Sequence, residues 1–244
     1  VTENVNPVTR PRLEPEPDER LGRVLDAAAE LLVRWGYRKV TVEDVAAAAG
    51  IGKGTVYLHF RTKEALFLTV LLRGYRGLLT GLTDRMRADP QEVLPGRMVR
   101  STYLAVLDDP VARQMYLGDG EMLGRLAREA AGTLGGLRER GTEAGRAHLA
   151  LLRDAGLLRT DVDLSAQQYL LDSVTSGFFF VESLGLPSTP ADPHTRADLL
   201  EYAVAHALQV PGAPAPDAAL AERVAASYDA LLEPIANEWQ RRVR

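Results

Sequence analysis

Apolar residues recur at three- and four-residue steps along nearly the whole chain, and no stretch alternates strictly between apolar and polar with turn residues at its ends. That pattern predicts an all-α protein. A first helix follows Asp18, a candidate N-cap, and carries Leu21, Val24, Leu25, Ala28, Leu31, Leu32 and Trp35 on one face until Gly36 ends it. A second starts at Thr41, whose hydroxyl can cap it while Asp44 reaches back, and Val45, Ala46 and Ala49 suit close packing. Gly50 and Gly52 bracket Ile51 and are expected to form a tight turn by entering left-handed backbone regions. On a third helix, Lys53 to Phe60, a turn of roughly 100° per residue brings Val56 and Phe60 inward. Gly54, Thr55, Leu58 and His59 then point outward, with Lys53 and Tyr57 on the flank.

A fourth helix runs from Lys63 into the 80s, with Leu66, Val70, Leu71, Tyr75, Leu78, Leu79 and Leu82 at helical steps, a length suited to a connector. Asp89-Pro90, Asp109-Pro110 and Asp192-Pro193 each put a capping carboxylate ahead of a proline at the first helical position. Further helices are expected at about 91–107, 110–117 and 121–155. Gly132, Gly135, Gly136, Gly141 and Gly145 weaken the last one, which must either break or pack closely.

Ser165 and Gln168 read as a capping box for a helix to about Leu186. That helix is apolar nearly all round, so it needs a second burying surface, expected to be another subunit. Leu170, Val174, Phe178 and Val181 are the expected dimer contacts, with Leu200 and Val204 on the following helix, Pro193 to Val210. The PGAPAP segment reads as a stiff linker to a last helix that Pro234 should kink or break. The expected divisions are a disordered proline-rich arm (1–17), a three-helix unit (18–62), a larger helical unit (63–210), and the linker with its extra helix (211–244).

The chain has 244 residues, 46% of them hydrophobic, enough for a small domain and a larger one. The absence of cysteine removes disulfides and thiolate chemistry and fits a cytoplasmic protein. The N-terminus lacks the apolar core of a secretion signal, and the longest apolar runs, such as Phe178 to Val181, are too short for a bilayer, so no membrane partner is expected. The net charge of -4 means that any affinity for nucleic acid must be local. Between residues 36 and 63, Arg38, Lys39, Lys53, Arg61 and Lys63 outnumber Glu43 and Asp44.

A DNA reader needs contacts to phosphate for position and contacts to base edges for sequence. Thr41 and Lys63 open helices, where free backbone N–H groups favour phosphate, and Tyr57 and His59 add neutral donors. Lys53 and Thr55 have the reach and chemistry for base edges, Leu58 suits a thymine methyl, and Gly54 allows close approach. The string GIGKGT fails as a phosphate loop, because Ala47 stands where glycine is needed and Gly54 where a hydroxyl is needed. His148, His194 and His206 have no metal-ligating partner at helical spacing, and no nucleophile-base pair is evident. No cofactor, metal or catalytic residue is expected.

The run RVLDAAAELLVRWGYRKVTVEDVAAAAGIGKGTVYLHFRTKEALFLTVL resembles the DNA-binding domain of the TetR family of bacterial transcriptional regulators. The resemblance implies a homodimer on a roughly palindromic double-stranded operator, with C-terminal helices that dimerise and enclose a small-molecule effector whose binding releases DNA. Carried over by position, its DNA contacts are Thr41, Lys53, Gly54, Thr55, Tyr57, His59 and Lys63. Gly52 departs from the serine usual in the family, which removes a hydroxyl contact to phosphate. For a largely apolar effector, Tyr103, Met115, Tyr116, Met122 and Phe178 are the candidate pocket residues. The rival readings are a transcriptional activator, or an enzyme or small-molecule-binding protein that keeps only the helix-turn-helix shape.

Overall fold

The computed structural model describes residues 19–117 and 131–243. The arm of residues 1–17, the cap at Asp18 and the pocket candidate Met122 lie outside them. The described elements are α1 (Glu19–Trp35), α2 (Val42–Ala48), α3 (Lys53–His59), α4 (Lys63–Ala88), a 3-10 turn (Pro90–Val93), α5 (Pro95–Asp108), α6 (Pro110–Leu117), α7 (Ala131–Asp154), α8 (Leu164–Ser183), α9 (Pro193–Leu208), α10 (Ala218–Asp229) and α11 (Leu232–Arg242). Among the described residues, the only extended pairing is the isolated bridge between Leu158 and Gln209.

Two apolar cores organise these helices. The N-terminal core joins α1, α2 and α3 to the first turns of α4 through Leu25, Leu32, Val45, Val56, Phe60, Leu66 and Phe67. The larger core, the body, takes Leu68, Leu72, Leu79, Leu82 and Met86 from α4 and packs them with residues of α5 and α7 to α11. Successive α4 residues thus serve different cores. By length and composition alone, a stretch of α4 with mean hydropathy 1.2 could cross a bilayer, although Arg73 and Arg76 interrupt its apolar run. Half of that stretch is buried within the protein, because both cores draw on it.

Local chemistry sets most helix ends. Gly36 leaves α1 at φ +76° and Gly50 leaves α2 at φ +68°, both in the left-handed region that favours glycine. Gly52 differs from expectation: at φ −73° it is an extended N-cap, so Gly50 alone makes the left-handed turn. Trp35 ends the apolar stripe of α1 but is 42% exposed, because the helix outruns the core beneath it. Asp89, Asp109 and Asp192 all cap as expected, although Asp89 opens the 3-10 turn rather than an α-helix. The cap of α8 is Asp163, which accepts from the Ala166 N–H at 2.8 Å, and not Ser165; Gln168 donates instead to Asp172.

The glycine-rich stretch forms one continuous helix, α7, and two of its glycines lie at packing seams. A Cβ at Gly145 would stand 3.3 Å from Gln168 of α8, and one at Gly141 would stand 3.4 Å from the Tyr75 hydroxyl of α4. The chain after residue 211 forms two helices. Pro234 sits in the first turn of α11, where its missing N–H has no partner to lose, so the break falls just ahead of it. α10 packs along α4, with Val224 and Ala225 fully buried and Arg87 bridging Glu222 and Asp229 at 2.8 and 2.6 Å. Trp239 and Val243 then reach the N-terminal core, with Arg76 over the Trp239 ring.

Among the described glycines, Gly96 makes the closest approach, where α5 crosses α9 and a Cβ would lie 3.0 Å from the Glu201 carbonyl oxygen. Gly96→Ala should therefore cost about 1–3 kcal/mol. Gly136, mid-helix with open space around it, should gain about 0.5–1 kcal/mol as alanine. Urea midpoints of the two variants should shift in opposite directions.

His148 is buried, its Nε2–H donating to the Val93 carbonyl at 2.7 Å and its Nδ1 accepting from the Tyr228 hydroxyl at 3.0 Å. Burial pushes its pKa down to about 4 from 6.5. The unfolded chain therefore takes up a proton that the folded one refuses between those values, and stability falls as pH drops from 6.5 toward 4. This one group should account for about 3 kcal/mol of that loss. Chemical denaturation across this window should show a flatter profile for His148→Gln.

Candidate nucleic-acid interface

The helix-turn-helix is held by its caps and its buried half. Thr41 closes a full capping box: its hydroxyl oxygen accepts from the Asp44 N–H at 3.2 Å, and Asp44 accepts from the Thr41 N–H at 2.8 Å and its hydroxyl at 2.7 Å. Val45, Val56 and Phe60 are almost wholly buried and fix the angle between α2 and α3. What α3 leaves outside is Lys53, Gly54, Tyr57 and Leu58, with Thr55 and His59 half-buried. Leu58 is 70% exposed, an apolar tip at the centre of an otherwise polar face.

Lys53 is oriented from two sides. Its ammonium pairs with the Glu43 carboxylate of α2 and lies 5.7 Å from the centre of the Tyr57 ring. The hydrogen bond between them holds Lys53 above, and Glu43 below, its ordinary pKa. Glu43 was visible in the sequence only as a charge opposing the patch. The helical register places it within reach of Lys53 across the turn.

Lys63 stands differently from its neighbours. Its ammonium donates to the Tyr37 carbonyl at 2.6 Å and sits 4.4 Å from the centre of the Tyr37 ring and 5.9 Å from that of Phe67. Tyr37 in turn donates to Glu64 at 2.9 Å and stacks edge-on against Phe67. The start of α4 is thus tied to the link between α1 and α2, a role that the motif alone does not reveal. Thr62 caps α4, accepting from the Ala65 N–H at 3.1 Å, and Lys63 is the first residue of the helix, as expected. The Nδ1 of His59 is buried and has no hydrogen-bond partner among the described residues.

Of the residues expected around an effector, Tyr103 and Phe178 have described side chains, and both pack in the body. Tyr103 is buried in the body, donating to Glu182 and accepting from Arg196 Nε at 2.9 Å, with its ring against Phe179. Met115 and Tyr116 lie on α6, and Phe178 packs against the body core. The described cleft, of about 420 Å³, lies instead between α1 and the body. The expected dimer contacts divide. Leu170 and Val181 are exposed, whereas Leu200 and Val204 are buried inside the subunit and have no surface to offer a second copy. The exposed large apolar residues of α9 are Leu199 and Tyr202. Val174 and Phe178 are half-buried against the body core.

Residues 24–70 match the family model for bacterial regulatory proteins of the tetR family. The chain is 39% identical over 70 residues to the HTH-type transcriptional activator FasR of Mycolicibacterium smegmatis, covering 29% of this chain and 32% of that protein. It is 35% identical over 96 residues to the HTH-type transcriptional repressor KstR2 of Mycobacterium tuberculosis, covering 37% of this chain and 46% of the relative. In both cases the match spans less than half of the relative. The fold is similar to that of SmeT, the repressor of a Stenotrophomonas maltophilia multidrug efflux pump, solved with triclosan. That similarity has a TM-score of 0.61 at 21% identity and covers 82% of this chain and 96% of the SmeT chain.

Because the Lys63 ammonium is bonded inside the domain, Lys63→Met should lower stability by about 1–3 kcal/mol by leaving the Tyr37 carbonyl without its donor. The salt dependence of DNA binding should stay unchanged. Thermal melts together with affinity measured against salt concentration would check both halves.

Proposed function

We propose, from the membership of its N-terminal domain in the TetR family of bacterial regulatory proteins, that the chain is a dimeric transcriptional regulator, a repressor released from its operator by a small molecule. One observation carries the reading. Val56 of α3 and Phe60 at its C-cap are buried and turn Lys53, Gly54, Thr55, Tyr57 and Leu58 away from the core, the face that would enter a groove. In this reading Lys53 and Thr55 reach base edges, Leu58 meets a thymine methyl, and Gly54 permits close approach. Thr41, Tyr57 and His59 position the backbone, and Lys63 supports the domain from inside. Residues 18–62 read DNA, residues 63–210 hold the effector and the second subunit, and residues 211–244 brace α4. Such a protein works in the cytoplasm, where its operator is.

Repression and ligand release are supported by relatives of both kinds: KstR2 is a repressor, and the SmeT structure holds triclosan. FasR, an activator, keeps activation as the alternative outcome. The second subunit is supported by the exposed apolar residues of α8 and α9. Leu170, Phe180, Val181, Leu199 and Tyr202 are each at least 37% exposed on adjacent helices, with Ser173 and Ser176 between them. An apolar surface of this kind marks an interaction site. A twofold dimer would then read half-sites one helical turn apart, ~34–36 Å, or a multiple of it.

Fluorescence anisotropy against DNA from upstream of its own gene should give sequence-specific binding, and its absence at moderate salt would defeat the reading. Thr55→Ala should cost about 1–3 kcal/mol at the specific site and leave non-specific binding unaltered. Phe180→Glu should shift sedimentation from dimer to monomer and weaken operator binding with it. A variant that stays dimeric would move the interface elsewhere.

A further inference from the structure

The cleft between the DNA-binding domain and the body, about 420 Å³, falls within the ~300–1,000 Å³ of small-molecule sites. Its apolar walls are Val33 of α1, Leu107 of α5 and Pro110 of α6, and its polar groups are Arg113 and Gln114 of α6 and Glu182 and Ser183 of α8. The two charges have different standing. Glu182 already accepts from the Tyr103 hydroxyl and faces Arg196 at 3.4 Å, so its charge is compensated within the body. Arg196 is itself fixed by donating to the carbonyls of Pro190 and Ala191 at 2.6 and 2.9 Å. Arg113 is exposed, and no described carboxylate lies within ion-pairing distance of its guanidinium. Among the described residues lining the cleft, it is the uncompensated charge.

We infer that this cleft binds a compact organic carboxylate. The guanidinium of Arg113 presents paired N–H donors to the carboxylate, a geometry that an amide or an amine cannot use. Val33, Leu107 and Pro110 cover the apolar part of the ligand, and Gln114 can donate to a remaining oxygen. A cationic ligand meets Arg113 as a like charge and finds Glu182 already neutralised by Arg196. One wall belongs to α1 and the others to the body, so an occupant bridges the DNA-reading unit and the helices that hold it. The regulatory consequence, though not the binding, rests on the reading of the chain as a ligand-released regulator.

The test is calorimetric titration of the full chain with hexanoate, benzoate and phenylacetate, with hexanamide and hexylamine as uncharged and cationic counterparts. At least one carboxylate should bind with Kd below about 1 mM, and neither counterpart should. Arg113→Gln should weaken that binding about tenfold or more, with Arg113→Lys between the two. Val33→Trp, which fills the cleft from an exposed position, should abolish it. Circular dichroism melts identify a variant that has merely unfolded. The inference is overturned if no carboxylate binds, if the amide binds as well as the acid, or if both Arg113→Gln and Val33→Trp bind as the parent does. The same probes added to operator-bound protein test the other reading separately. A carboxylate that binds through Arg113 without loosening DNA establishes the site and overturns ligand release through it.

Discussion

The structure depends on α4 serving two cores at once. Leu66, Phe67, Val70 and Leu71 lie in the N-terminal core, while Leu68 and Leu72, interleaved with them, lie in the body. A helix transmits rotation along its length because its backbone hydrogen bonds resist local twisting, and tightly packed side chains do not slide independently. No break in α4 separates the N-terminal core from the body at this point. Any displacement of α4 by the body must carry the N-terminal core with it.

Two further contacts cross the same boundary. Val111 of α6 packs on the N-terminal core, and so do Trp239 and Val243 at the end of the chain. The cleft bounded by Val33, Leu107 and Pro110 opens where α1 and the body face one another across a gap. Cores change arrangement more readily at such a gap than in their close-packed interior, because fewer contacts are lost. The α1 side is also charged and adjustable, with Asp26 paired to Arg73 of α4 at 2.7 Å while 72% of the Asp26 side chain stays exposed.

How much was legible in the sequence depended on whether the determining forces were local. The caps at Thr41, Asp109 and Asp192, the turn at Gly50 and the inward pair Val56 and Phe60 all follow from residues within four positions of each other. What the sequence leaves open involves partners remote in it. Gly145 packs closely, one of the two outcomes expected, because Gln168 of α8 lies against it, and the Lys63 ammonium meets a carbonyl 26 residues away, that of Tyr37. Leu200 and Val204 looked like interface residues because periodicity marks an apolar face without saying what covers it. Within the subunit, α5 covers that face at the Gly96 crossing. The C-terminal helices were read as an appendage because a proline-rich linker preceded them. Nothing in their own spacing showed that Val224 and Ala225 close the body.

Magnitudes separate the two lysines of the helix-turn-helix. The Lys53–Glu43 pair is exposed on both sides, at 50% and 56% of the two side chains, and such pairs contribute only about 0–1 kcal/mol. Breaking it to reach a base or a phosphate therefore costs little, and until then Glu43 and the Tyr57 ring hold the ammonium on the outward face of α3. Lys63 is half-buried, and its bond to the Tyr37 carbonyl, at about 1.5–3 kcal/mol for a charged donor, would leave an unpartnered carbonyl behind. A phosphate contact would have to exceed that loss before Lys63 left its place. The same motif thus contains one lysine held lightly on the outward face of α3 and another that keeps α4 attached to the link between α1 and α2.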